Sequence, residues 1–140
     1  MKKMLKLLWL SLSLLFVGST VGTPVLAENI KVGVLLPLSG KLARFGEIEK
    51  GSFLMAAEEI NSAGGVNGNR IDLIIEDTTG RPDVARSAIE KLILQDKVVV
   101  VGGGWSSSVT WTAATVAQKR KVPFLVNTAS ADKITEQGWK

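Results

Sequence analysis

The chain has 140 residues, 17 basic and 13 acidic side chains for a formal net charge of +4, and neither cysteine nor histidine. Those two absences exclude disulfides, thiol chemistry, imidazole general bases and the usual transition-metal ligands.

The first segment reads as a secretory signal peptide, residues 1–27. Lys2, Lys3 and Lys6 form a positive start, and Leu7 to Val17 is an apolar run broken only by serines. Pro24 then precedes Val25-Leu26-Ala27, with a cleavage site expected after Ala27. A run of about eleven residues is too short for a membrane span, which needs roughly 20. No cysteine follows it, so a lipoprotein anchor is not expected. Without this segment the net charge falls to +1, because all the acidic residues lie beyond it. The single basic run, Lys119-Arg120-Lys121, falls at an expected helix end, where cations complement the helix dipole. A nucleic-acid surface would need a cluster on one face. Residues 28–140 suffice for one small domain held together by apolar burial.

Ile30 to Leu36 predicts a strand stopped by Pro37, followed by a loop from Leu38 to Gly46. A helix is expected over Glu47 to Ala63, with Ile48, Ser52, Met55, Ala56 and Ile60 on its apolar face. Gly64-Gly65 and Asn67-Gly68 supply turns, and Arg70 to Asp77 is the second strand. Pro82 and Asp83 open a second helix, with Asp83 as candidate N-cap and Ala85, Ala88, Ile89 and Leu92 inward. Lys97 to Val101 is a third strand, whose four consecutive valines suit a strand covered on both faces. Gly102-Gly103-Gly104 ends it. A third helix runs from about Ser107 to Lys121 with Val109, Ala113, Val116 and Ala117 inward. Pro123 to Val126 is a fourth strand, and Asn127 to Lys140 a loop and helix start. The alternation gives a doubly wound α/β fold with a parallel sheet.

Ligands of such sheets bind at the carboxyl ends of the strands, where strand order reverses. Three loops lie there: Leu38 to Gly46, Gly102 to Ser108 and Asn127 to Asp132. In the second, three glycines precede Ser106, Ser107 and Ser108 at a helix start, which suits a carboxylate. A plain turn with one serine as N-cap explains the same residues equally well. Thr128, Ala129 and Ser130 add hydroxyls and carbonyls, a set that together suits a zwitterion or small amide. Phe45 and Trp105 supply an apolar wall, or ordinary packing of loop against sheet. Enzymatic motifs fail. Gly33 to Lys41 has the wrong spacing for a phosphate loop, and Gly102-x-Gly104 lacks the third glycine of a dinucleotide fingerprint. Ser106 has no nucleophile elbow and no histidine to activate it. Glu76 and Asp77 point to opposite faces of a strand and mark its end.

Taken together, Ile30 to Gly40, Ala57-Glu-Glu-Ile-Asn-Ser-Ala-Gly-Gly-Val-Asn-Gly68, Gly103 to Val109 and Thr128 to Gly138 resemble the branched-chain amino acid binding proteins that serve ABC importers. The resemblance runs from Ile30 to Lys140 and implies the type I periplasmic binding protein fold. It implies that Ser106 meets a ligand α-carboxylate, Ser130 adds a hydroxyl, the Thr128 carbonyl takes the ammonium, and Phe45 lines the pocket. Ser107 and Ala129 belong to the same loops, and Trp105 matches a variable position. It further implies a small-molecule ligand (an amino acid, amide or urea), a membrane ABC permease as partner, a monomer, no cofactor, no metal and no nucleic acid. Family members are about three times as long, so residues 28–140 are expected to be part of an N-terminal lobe that binds weakly alone. A ligand-sensing receptor domain or an exported α/β hydrolase remains the alternative.

Overall fold

A computed structural model describes residues 29–139, so the signal-peptide segment and Lys140 lie outside the described residues. Four strands alternate with three helices: β1 (Ile30–Leu36), α1 (Ala43–Ser62), β2 (Ile71–Asp77), α2 (Pro82–Leu94), β3 (Val100–Gly103), α3 (Ser107–Arg120) and β4 (Phe124–Val126). Short 3-10 turns occupy Gly40–Leu42 and Asp132–Ile134. The strands are all parallel, in the order β2-β1-β3-β4. Strand order therefore reverses between β1 and β3.

One face of the sheet is closed by α2 and α3, which pack on each other. Leu35 of β1 and Val101 of β3 meet Ala88, Ile89 and Leu92 of α2 and Ala113, Val116 and Ala117 of α3 in one buried cluster. The inward stripes expected of these two helices are the buried ones. The N-cap of α2 differs from expectation. Arg81, not Asp83, is the N-cap of α2, because Pro82 takes the first helical position. Asp83 sits in the first turn and pairs with Arg81 at 2.6 Å.

The opposite face carries α1, and here the expected apolar stripe is corrected. Ile48, Ser52, Met55, Ala56 and Ile60 are exposed, Ile48 at 61% and Met55 at 68%. The buried positions are Gly46, Glu49 and Ala57, with the Phe53 ring lying over Gly102 of β3. The helix is apolar over an arc wider than one contact, and it leans on β1 and β2. The other flank of the arc is uncovered, and on the sheet Leu125, the register partner of Gly102, is 68% exposed. Val99 is 58% exposed although its N–H already donates to the Lys31 carbonyl of β1 at 3.0 Å; Lys97, two residues before it, takes a left-handed φ of 58°. The four valines are thus not covered on both faces.

The Asn61 to Gly68 stretch has a direct structural role. Asn61 acts as a surrogate backbone: its amide donates to the Ile71 carbonyl at 2.9 Å and its Oδ1 accepts from the Ile71 N–H at 2.7 Å. Asn67 and Gly68 both have positive φ, 52° and 82°, between the bridged residues Val66 and Asn69. That is the conformation for which Asn-Gly is favoured.

Two devices set the loop after β1. Gly46 lets α1 approach it, since a Cβ there would lie 2.1 Å from the Pro37 carbonyl oxygen. Helix α1 consequently begins at Ala43, earlier than the sequence pattern suggests, and only Pro37 to Ser39 separates β1 from the 3-10 turn. Asp77, at the end of β2, accepts from the N–H groups of Leu38 (2.7 Å), Ser39 (3.3 Å) and Thr79 (2.7 Å). Burial raises its pKa, but hydrogen bonds from the Ser39 hydroxyl and those N–H groups outweigh it and hold the carboxyl below its ordinary value.

Two glycines of α1 should respond oppositely to the same change. Gly46→Ala, which must push against the Pro37 backbone, is expected to cost roughly 1–3 kcal/mol. Gly51→Ala, which meets nothing within 4 Å, should stabilise by about 0.5–1 kcal/mol. Urea unfolding of both variants checks the sign. For Asp77 the folded pKa is depressed, so its stabilisation is present above the unfolded value of about 3.9 and is lost as pH falls through the folded one. Asp77→Asn should therefore trail the parent most at neutral pH, and the gap should narrow below about pH 4 in denaturation series.

Candidate functional site

The site residues lie at the carboxyl ends of β1, β3 and β4, beside the point where strand order reverses. Phe45 falls in the first turn of α1 rather than in a loop, and is 42% exposed. Its ring stacks on Trp105, with centroids 4.4 Å apart and planes 17° from parallel. The aromatic pair thus ties α1 to the loop after β3.

That loop is shaped by close backbone packing. Gly103 has φ 114°, and a Cβ on it would stand 2.3 Å from the Leu35 carbonyl oxygen. Gly104 has φ 98°, and a Cβ there would stand 2.6 Å from the buried Thr110 hydroxyl. Both glycines are thereby explained by internal contacts with β1 and α3. Ser106 is the N-cap of α3 with extended φ and ψ, yet its hydroxyl makes no capping bond. It lies 3.3 Å from the Ser108 hydroxyl instead. Ser107 is the first helical residue, half-buried like Ser106. The first-turn N–H groups of α3 thus have no hydroxyl bonded to them, as an anion-accepting helix end requires.

The loop after β4 is laced to the one after β3. The Ala129 N–H donates to the Gly104 carbonyl at 2.9 Å, and the Asn127 N–H to the Gly103 carbonyl at 3.3 Å. Gly104 is two residues before Ser106, and Ala129 is one before Ser130. The two hydroxyl-bearing segments are therefore joined through their backbones, with Ser130 exposed. Thr128 is arranged differently from its neighbours, since its hydroxyl donates to Glu49 Oε1. Its carbonyl is the group left to the site.

Beneath these loops is a small hollow of about 10 Å³, lined by Leu35, Trp105, Ser106, Thr110 and Phe124 among others. That volume holds about one water and is too small for a solute of amino-acid size.

Sequence patterns missed two groups here. Glu49 is only 9% exposed and accepts from both Thr128 and the Asn127 side chain, the latter at 2.9 Å. A usable signal exists: Phe45, Glu49, Phe53 and Ala57 recur every fourth residue, which places one acid in an otherwise apolar row. Asp77, which holds the Leu38 and Ser39 amides, is marked only as a strand end in the sequence.

Comparison with known proteins agrees with this arrangement. The family model described as "Periplasmic binding protein" matches residues 29–139. The leucine-, isoleucine-, valine-, threonine- and alanine-binding protein of Pseudomonas aeruginosa is 34% identical over 114 residues, covering 81% of this chain and 30% of that one. Among solved structures, the branched-chain amino acid transporter substrate-binding protein LivJ of Streptococcus pneumoniae, in complex with isoleucine, superposes with a TM-score of 0.75 at 34% identity. The match covers 78% of this chain and 31% of that one. A solute-binding protein of an ABC transporter from Rhodopseudomonas palustris, in complex with 3,4-dihydroxybenzoic acid, gives a TM-score of 0.70 at 31% identity, over 77% of this chain and 29% of that one. The chain spans about a third of the length of these relatives. With a parallel sheet that reverses its order between β1 and β3 and a match over nearly all described residues, it belongs to the periplasmic binding protein family, as a partial chain of the branched-chain amino acid type with the type I fold.

Proposed function

We propose that the protein binds a small zwitterionic amino acid outside the cytoplasmic membrane, after export on residues 1–27, and presents it to a membrane ABC permease. In this reading Ser106 and Ser107 offer hydroxyls and N–H groups at the start of α3 to the α-carboxylate. Ser130 adds a hydroxyl, the Thr128 carbonyl takes the ammonium, Ala129 fixes the loop through Gly104, and the Phe45–Trp105 pair forms an apolar wall. The observation that carries it is the backbone bond between Ala129 and Gly104, which joins two hydroxyl-bearing loops beside a stacked aromatic pair. The protein acts as a monomeric binding component, without catalysis: with no histidine or cysteine in the chain, Ser106 has neither of those side chains beside it as a base.

A second reading has a specific observation in its favour. The half-exposed aromatic stack suits the ring of an aromatic carboxylic acid, and a relative at 31% identity holds 3,4-dihydroxybenzoic acid. The carboxylate would use the same helix start, so the two readings differ only in what lies beyond it.

Calorimetry on the native gene product, titrated with leucine, isoleucine, valine and hydroxybenzoates, separates these readings. Heat from the amino acids alone supports the first reading, heat from the benzoates alone the second, and heat from neither class sinks both. Ser106→Ala should weaken whichever ligand binds by about ten- to hundredfold, the range for one hydrogen bond to a charged group.

A further inference from the structure

Glu49 is an expensive residue to place where it stands. Its Oε2 is fully buried and has no hydrogen-bond partner in the described structure, while Oε1 alone accepts from the Asn127 amide and the Thr128 hydroxyl. A buried carboxylate with one unsatisfied oxygen opposes folding unless something else requires it. An apolar side chain would suit its row better, between Phe45 and Phe53 on α1. Asn127 and Thr128 do not need it either, for both are exposed and can be hydrated.

What Glu49 accomplishes is a link across the fold. Asn127 and Thr128 lie 78 and 79 residues along the chain, at the start of the loop whose next residues are Ala129 and Ser130. The other described ties of that segment are the two backbone bonds to Gly103 and Gly104. Those bonds come from the β3 side; Glu49 approaches from α1. Loss of the carboxylate removes the described hydrogen bonds that reach the loop from α1.

We propose that Glu49 is a positioning residue: its carboxylate clamps Asn127 and Thr128 so that the Thr128 carbonyl and the Ser130 hydroxyl are fixed before a ligand arrives. Binding then does not have to order the loop, and affinity rises accordingly. The inference rests on the binding role proposed above, and its test includes a readout that does not.

Three variants of the native gene product separate positioning from plain stability. Glu49→Gln keeps an acceptor of the same shape, Glu49→Leu replaces the carboxylate by an apolar group, and Glu49→Ala empties the position. Amide exchange at Ala129, thermal midpoint and ligand affinity are measured on each. Glu49→Gln should stay within about threefold of the parent in exchange and affinity, because the clamp survives. Glu49→Leu should keep or raise the midpoint, exchange Ala129 faster, and bind about ten- to hundredfold more weakly. Glu49→Ala should show the same exchange and affinity losses, with a lowered midpoint. The proposal is overturned if Glu49→Leu exchanges Ala129 like the parent, or if Glu49→Gln fails to rescue. A parent protein that binds neither amino acids nor benzoates sinks the binding role, while the exchange comparison still decides whether Glu49 orders the loop.

Discussion

The carboxyl-end surface of this sheet depends on β3 lying against β1 with no side chain between them. Gly103 is in register with Leu35, and a Cβ on it would overlap the Leu35 carbonyl oxygen. The Gly104 N–H then donates to that same carbonyl at 3.1 Å, which turns the chain toward α3. From there the order propagates outward. Gly103 and Gly104 present their carbonyls to Asn127 and Ala129, so the loop after β4 is templated on the loop after β3. One close backbone approach therefore places both hydroxyl-bearing segments.

A second set of ties brings in α1. Gly46 lets it close on Pro37, Phe53 covers Gly102, Phe45 stacks on Trp105, and Glu49 reaches Asn127 and Thr128. Each contact falls in the helix's first three turns, near the carboxyl ends of the strands. Its later turns are held instead by Asn61 on Ile71. The helix is thus anchored at both ends, while a flank of Ile48, Met55 and neighbours faces away from the sheet contact. Such a flank is a surface suited to another packed element.

The two sheet faces also differ in how they achieve stability. Under α2 and α3 the cluster around Leu35, Ile89, Leu92 and Val101 is fully enclosed, as apolar burial without disulfides requires. Under α1 the enclosed part is narrower, and polar groups such as Glu49 and Asn61 do part of the fastening.

Much was already determined by the sequence itself: the order of strands and helices, the bounds of β1, the buried stripes of α2 and α3, and which three loops would share one end of the sheet. These follow from local periodicity and from the right-handed connection of parallel strands, which act within a few residues or one crossover. Only the tertiary structure decided which flank of α1 is buried, that Val99 faces solvent, that Arg81 and not Asp83 caps α2, and that Glu49 holds the loop carrying Ser130. The α1 flank, the Val99 side chain and the Glu49 link depend on which surface an element meets across the fold, and the cap of α2 on which residue opens the helix. An apolar arc wider than one contact, or a carboxylate whose partners lie 78 and 79 residues away, leaves no periodic mark in the chain to say which side will be met.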